Sequence, residues 1–191
     1  MTIRRPLETD SHTVIDFIHS VLGEYEHSDH HTQIQRPQQT INNNNGTTRS
    51  WTSDVPDLLS IHGTLEPSPY AAKDASLLIH FRKGPPFPGT KPFVWTIACE
   101  KGEIRISSEK TASLQAEGSA HPIPIEVHDF STDRASNVDW EWEDWQTPLF
   151  ARGRNIAKLY DLYAHGKTDE IPGFEDAVKR HEQLDGILWD Q

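Results

Sequence analysis

Cysteine is almost missing from this chain of 191 residues: Cys99 stands alone, which excludes an intramolecular disulfide and any zinc site built on several thiolates. Long hydrophobic runs are missing too. The longest apolar stretch, Pro92 to Cys99, falls far short of the roughly 20 residues that cross a bilayer as a helix, so no membrane partner is expected. Basic charge is scarce: 18 Lys and Arg stand against 29 Asp and Glu, a formal net charge of −11. A protein that wraps nucleic acid or rides on anionic lipid needs a basic face, so no nucleic acid is expected either. No G-x-G-x-x-G follows a strand and no G-x-x-x-x-G-K-[ST] occurs, so a nucleotide would not be held by a standard phosphate loop. The opening MTIRRPLETDSHT turns polar directly after two arginines, unlike a secretory signal; the expected location is cytoplasmic.

What is present reads as a helix, then strands, then helices. Val14, Phe17, Ile18, Val21 and Leu22 recur at three- and four-residue spacing, the period of one helical face. Thr9 or Ser11 would cap this helix and Gly23 would stop it, placing it near 10–22. Short β-branched and aromatic runs separated by Gly, Pro or Asp follow at 24–35, 58–65, 75–82, 92–100, 103–108, 123–130 and 137–143, each a strand signal. Lys101-Gly102 is a tight-hairpin signal. The polar, low-complexity stretch 38–48 is expected to be a mobile loop. Thr147-Pro148 would open a second helix, with Ile156, Leu159, Tyr160 and Tyr163 on one face and Gly166 ending it. A last helix over about 174–189 carries Phe174, Val178, Leu184 and Leu188.

This order predicts one α+β domain, 1–191: a single, largely antiparallel sheet of six or seven strands with helices packed on one face. Leu77, Ile79 and Phe81 alternate with Leu78, His80 and Arg82, and Phe93, Trp95, Ile97 and Cys99 with Val94, Thr96 and Ala98. The second face is therefore expected to need a cover, supplied by a two-fold homodimer through the open face.

Three stretches carry a resemblance. ASLLIHFRKGPPFPGTKPFVWTIACEKGEIRI, the tail NIAKLYDLYAHGKTDEIPGFEDAVKRHEQLDGI and the opening SHTVIDFIHSVLGEYE are similar in order and spacing to the Gfo/Idh/MocA family, named for glucose–fructose oxidoreductase and inositol dehydrogenase. Within it they resemble the branch that contains the fungal repressor of the galactose regulon. The similarity runs from about Pro6 to Trp189. It implies the C-terminal domain of these two-domain oxidoreductases, the half that shapes the substrate cavity and the oligomer. The family's N-terminal Rossmann domain, which binds NAD(P), has no counterpart in the sequence, nor does that domain's lysine. Family members place a His three residues before the helix Asp, whereas His12 precedes Asp16 by four. Either the helix start is offset by one residue or Thr13 takes the histidine's place. The family carboxylate four residues before that His would be Glu8 if His12 is the counterpart.

Candidate site residues follow from spacing. His12 and Asp16, four apart on a helix, share a face, so Asp16 would orient the imidazole for proton transfer; the alternative is an exposed helix-end pair. His80 and Arg82 point to one side of a strand and His62 lies on another strand, placing imidazole and guanidinium over the open sheet face, suited to an enolate or carboxylate; the alternative is a polar sheet face at a subunit contact. Trp140 and Trp142 alternate with acids in DWEWEDW and would clamp a flat apolar ligand or pack at an edge. With His62 and Trp95 they make up the expected substrate-binding set. His27, Asp29 and His31 would share a strand face, but no second ligand cluster supports them, so no metal is expected; Cys99 reads as a packed thiol.

Hydride transfer needs a nicotinamide held against the substrate, so an autonomous dehydrogenase is not expected and no cofactor is assigned. The expected function is a cofactor-independent enzyme for redox-neutral chemistry (cyclisation, isomerisation or dehydration) on a small organic substrate, with a fungal secondary-metabolite setting implied by the resemblance. The alternatives are a non-catalytic ligand-binding or regulatory module, and a partner subunit or remnant of an NAD(P)-dependent dehydrogenase.

Overall fold

This computed structural model describes residues 6–42, 47–84, 86–109, 114, 123–139 and 141–189, with the side chains of all but 6–13, 41–42, 151–152 and 189. The first helix, α1, runs Pro6–Leu22, about a turn earlier than expected. Pro6 takes the first helical position, where its fixed φ helps and its missing N–H is not needed, so Thr9 and Ser11 lie inside the helix. Gly23 ends it as expected, with φ 91° and its N–H donating to the His19 carbonyl at 2.9 Å. The buried stripe is Ile15, Ile18 and His19, rotated by one residue from the expected face, and Val21 is exposed.

The contacts of the chain group into two units: Met1–Gly84 with Phe174–Gln191, and Pro85–Gly173. In the first, β1 (Tyr25–Gln33), β4 (Leu58–Leu65) and β5 (Ser76–Arg82) form an antiparallel sheet in the order β1-β4-β5. Leu59, Ile61, Leu65, Leu77 and Ile79 are buried on one face of it, together with Leu184, Ile187 and Leu188 of α3 (Phe174–Trp189). The helix α3 packs against α1 and β1, and its Leu188 meets Val55 and Phe81. Phe174 and Val178, expected on its apolar face, are exposed. A bulge lies between Tyr25 and His27, and there the β1 backbone passes over Gly63 so closely that a methyl group would overlap the His27 carbonyl; glycine is required for this approach. The stretch expected as a mobile loop is partly in a ladder: β2 (Gln38–Asn42) pairs with β3 (Thr48–Thr52), Thr40 opposite Ser50 and Ile41 opposite Arg49, a pairing that β-branched residues favour.

The second unit holds β6 (Phe93–Cys99), β7 (Gly102–Ser108), β8 (Ile125–Asp129) and β9 (Arg134–Val138), an antiparallel meander in chain order. Trp95, Ile106, Ile125 and Val138 form one row of a mainly apolar face, and Ile97, Ile104 and Val127 the next. The strand β9 starts earlier than expected because the chain turns back at once. The Asp129 carboxylate accepts from the Ser131 N–H at 2.7 Å and the Thr132 N–H at 3.2 Å, an Asx-type turn, and Asp133 takes φ 51°. The helix α2 (Ala151–Ala164) follows, then a 3-10 turn at Thr168–Glu170, with Gly166 at φ 71°. Its expected apolar stripe, Ile156, Leu159, Tyr160 and Tyr163, is exposed, while Arg154, Lys158 and Asp161 are half-buried. The class is α+β and, among the described residues, the strands are antiparallel, as expected; their ladders number three, of three, two and four strands.

Candidate functional site

Antiparallel register decides which side chains share a face. With Leu59, Ile61 and Leu65 turned into the core, Leu58, Ser60, His62 and Thr64 turn to the outer face of β4. Their partners on β1 are Gln33, His31, Asp29 and His27, and on β5 Arg82, His80, Leu78 and Ser76. Asp29, His62 and Leu78 thus form one row across the sheet, and His31, Ser60 and His80 the next. His80 Nδ1 and Ser60 Oγ are hydrogen-bonded at 2.9 Å. A shallow concavity of about 810 Å³ is lined by His27, Asp29, His62, Thr64, Ser76 and Leu78 among others. His62, His80 and Arg82 therefore do share the outer face. That face is more polar than expected: its apolar members are Leu78, 71% exposed, and the half-buried Leu58.

Asp16 lies elsewhere. Its carboxylate oxygen is 3.5 Å from Nε of Arg180 on α3; the side chain of His12, its expected partner, lies outside the described residues. Arg180, 7% exposed, is the centre of a cluster that sequence reasoning missed. It donates to both Glu24 oxygens, at 3.1 and 2.8 Å, and to Oε1 of Gln183. That bond turns the Gln183 amide nitrogen toward His19 Nε2, 3.4 Å away, while His19 Nδ1 lies 2.6 Å from the Gly23 carbonyl. A carbonyl only accepts, so the Nδ1 proton is donated there, and Nε2 accepts from the amide: the imidazole is neutral. Burial holds its pKa below the ordinary histidine value, against the raising effects of the Gly23 bond and Glu24. Burial pushes the Glu24 carboxyl up, but the Arg180 hydrogen bonds and the charges of Arg180 and Lys179 outweigh it and leave the group below the usual carboxylate range. Burial also raises the Tyr25 phenol, whose ring meets His19 edge-on at 5.1 Å. This arrangement braces α1, β1 and α3. A sequence signal existed: His19 stands four after Ile15 and Arg180 four before Leu184, each on the buried stripe of its helix.

In the second unit Trp95 is buried on β6. Trp142 lies beyond β9 with the Arg154 guanidinium 5.2 Å from its ring centroid, a cation–π distance. Arg154 also donates to the Leu149 carbonyl at 3.1 Å and the Thr147 carbonyl at 2.9 Å, which fixes the guanidinium that faces Trp142. Trp140 lies outside the described residues. Arg105 grips Glu126 through two bonds of 2.9 Å, which hold the Glu126 carboxyl below its usual range. Cys99 is exposed rather than packed: it ends β6 opposite Gly102, which offers no side chain to cover it. His27, Asp29 and His31 share a face, yet among the described residues no group of three His, Cys, Asp or Glu is placed to hold a metal ion. Among those residues no helix is long and apolar enough to cross a membrane.

No protein-family model matches the chain, and no curated protein matches it. Among solved structures it is similar to the crystal structure of the transcriptional regulator Gal80p from Kluyveromyces lactis, with a TM-score of 0.66 and 16% identity over 97% of this chain. The chain spans 46% of the length of that regulator's chain. What it shares with Gal80p over that span is the fold, the α+β arrangement that the sequence resemblance implied.

Proposed function

We propose that this chain is a non-catalytic binding module of regulatory type that docks through the outer face of β1, β4 and β5. One observation carries the reading: among the described residues, the side chains with chemistry to offer are spread over open surface instead of converging in an enclosed site. Catalysis draws on groups held at close range in a water-poor cavity. Here Arg180 engages Asp16, Trp95 and Trp142 belong to the other unit, and the concavity beside His62 is shallow. The likeness of fold to a transcriptional regulator supports the same reading.

The occupant we assign is a second copy of the chain. Two copies each carrying −11 repel wherever acids dominate, but the ladder residues of this face include a single acid, Asp29, beside the cationic Arg82, and Leu78 is exposed among the neutral side chains. Three strands about 4.8 Å apart, at about 3.4 Å per residue, offer roughly 350 Å² in projection. That is below the ~800 Å² per partner of a standard interface, so the association is weak and concentration-dependent. Sedimentation velocity from low to several hundred micromolar tests it. A dimer that grows with concentration and is lost in Leu78→Glu, with unchanged circular dichroism, is expected. A monomer throughout, or a dimer that Leu78→Glu leaves intact, overturns it.

The hydrogen bond between His80 and Ser60 favours a second reading, the small-molecule enzyme. An imidazole oriented by a hydroxyl, with Arg82 two residues along the same strand, suits proton transfer next to a developing enolate. Incubation with small carbonyl acids in deuterated water tests it: α-proton exchange faster than in protein-free buffer, with the acceleration lost in His80→Ala, supports the reading, and no acceleration removes it.

A further inference from the structure

We propose that docking through this outer face is switched off by mild acid, through four histidines that the fold gathers there. The inference rests on the reading above, that a second copy covers the face. Of the 11 histidines in the chain, His27 and His31 on β1, His62 on β4 and His80 on β5 turn to the same face, and all four are exposed. Among the residues paired in the ladder, the other charged groups on that face are Asp29 from β1 and Arg82 from β5; β4 adds no charge besides His62, and the exposed acid Glu26 stands in the bulge next to His27.

Above neutrality the ionised groups of the face are one carboxylate and one guanidinium. Histidine gains its charge between about pH 8 and pH 5, so four protonated imidazoles add four positive charges to the face. A two-fold face-to-face contact sets the same surface against itself. At the ~10 Å spacing of packed sheets, close to the Debye length of about 8–10 Å at physiological salt, the repulsion is only partly screened. As pH falls, the overall −11 charge shrinks and the general repulsion between copies weakens, whereas on this face positive charge accumulates against positive charge.

The experiment is sedimentation equilibrium of the full chain at about pH 8 and about pH 6, with circular dichroism at both to follow the fold. The dissociation constant is expected to rise at least tenfold at the lower pH, and to rise far less when His27, His31, His62 and His80 are all replaced by Gln. A dimer that is unchanged or tighter in acid overturns the switch and leaves the docking reading standing. A monomer at both pH values overturns the docking reading itself.

Discussion

Replacing Arg180 by alanine tests whether the buried cluster braces the first unit. The guanidinium is 7% exposed and supplies both hydrogen bonds to Glu24 and one to Gln183. Removing it leaves a carboxylate whose side chain is 22% exposed and a Gln183 oxygen without its donor. Breaking a fully buried pair from one side costs about 3–5 kcal/mol. Glu24 keeps some contact with water, so the lower end applies, about 3 kcal/mol. The double replacement Glu24→Leu with Arg180→Leu removes both charges together and is expected to cost about 1 kcal/mol or less, because the pair's own desolvation penalty disappears with it. Urea unfolding followed by far-UV circular dichroism, extrapolated linearly to water, measures both. A loss below about 0.5 kcal/mol in Arg180→Ala, typical of a surface change, would refute the bracing role. So would a double variant as unstable as the sum of its single variants, since coupled groups are not additive.

The same cluster makes stability depend on pH. His19 is held neutral with a lowered folded-state pKa, so the unfolded chain binds its proton first. Its contribution is complete above the ordinary histidine value near 6.5 and is lost as pH falls below it; urea midpoints should decline across that window, and His19→Gln should flatten the decline. Gly63→Val forces a side chain into the His27 carbonyl and is expected to cost more than about 2 kcal/mol and to unprotect β1 amides in hydrogen exchange. Leu59→Ala, at a fully buried position, should cost about 3 kcal/mol in urea unfolding, whereas Leu78→Ala on the outer face should change stability by less than about 0.5 kcal/mol.

Element identity was largely legible because helix and strand periods are local properties of sequence. The run 58–65 is β4 and the run 174–189 is α3, residue for residue. The inward face of α1 was not legible. Val14, Ile15, Phe17 and Ile18 make the helix apolar over more than one face, and only packing against α3 selects Ile15, Ile18 and His19. Nor was the start of β9, where a side-chain turn at Asp129 overrides the aromatic run that follows it.

The candidate site divides in the same way. Alternation along β4 and β5 is enough to set His62, His80 and Arg82 apart from Leu59, Ile61 and Ile79, because side chains alternate with period two whatever the strand's neighbours. Nothing local says that β1, and not β2 or β3, lies beside β4. Burial of Leu59, Ile61 and Leu65 and the bulge over Gly63 set that register, and it is the register that brings Asp29 opposite His62 and His31 opposite Ser60. Arg180 and Glu24 meet across 156 positions of sequence. By itself the sequence determined the α+β class, the acidic charge and the element order, all of which depend on residues and their near neighbours. The pairing of distant strands and helices, and so the four-histidine face and the buried brace, was decided only by tertiary structure, since each arises where segments far apart in the chain are packed together.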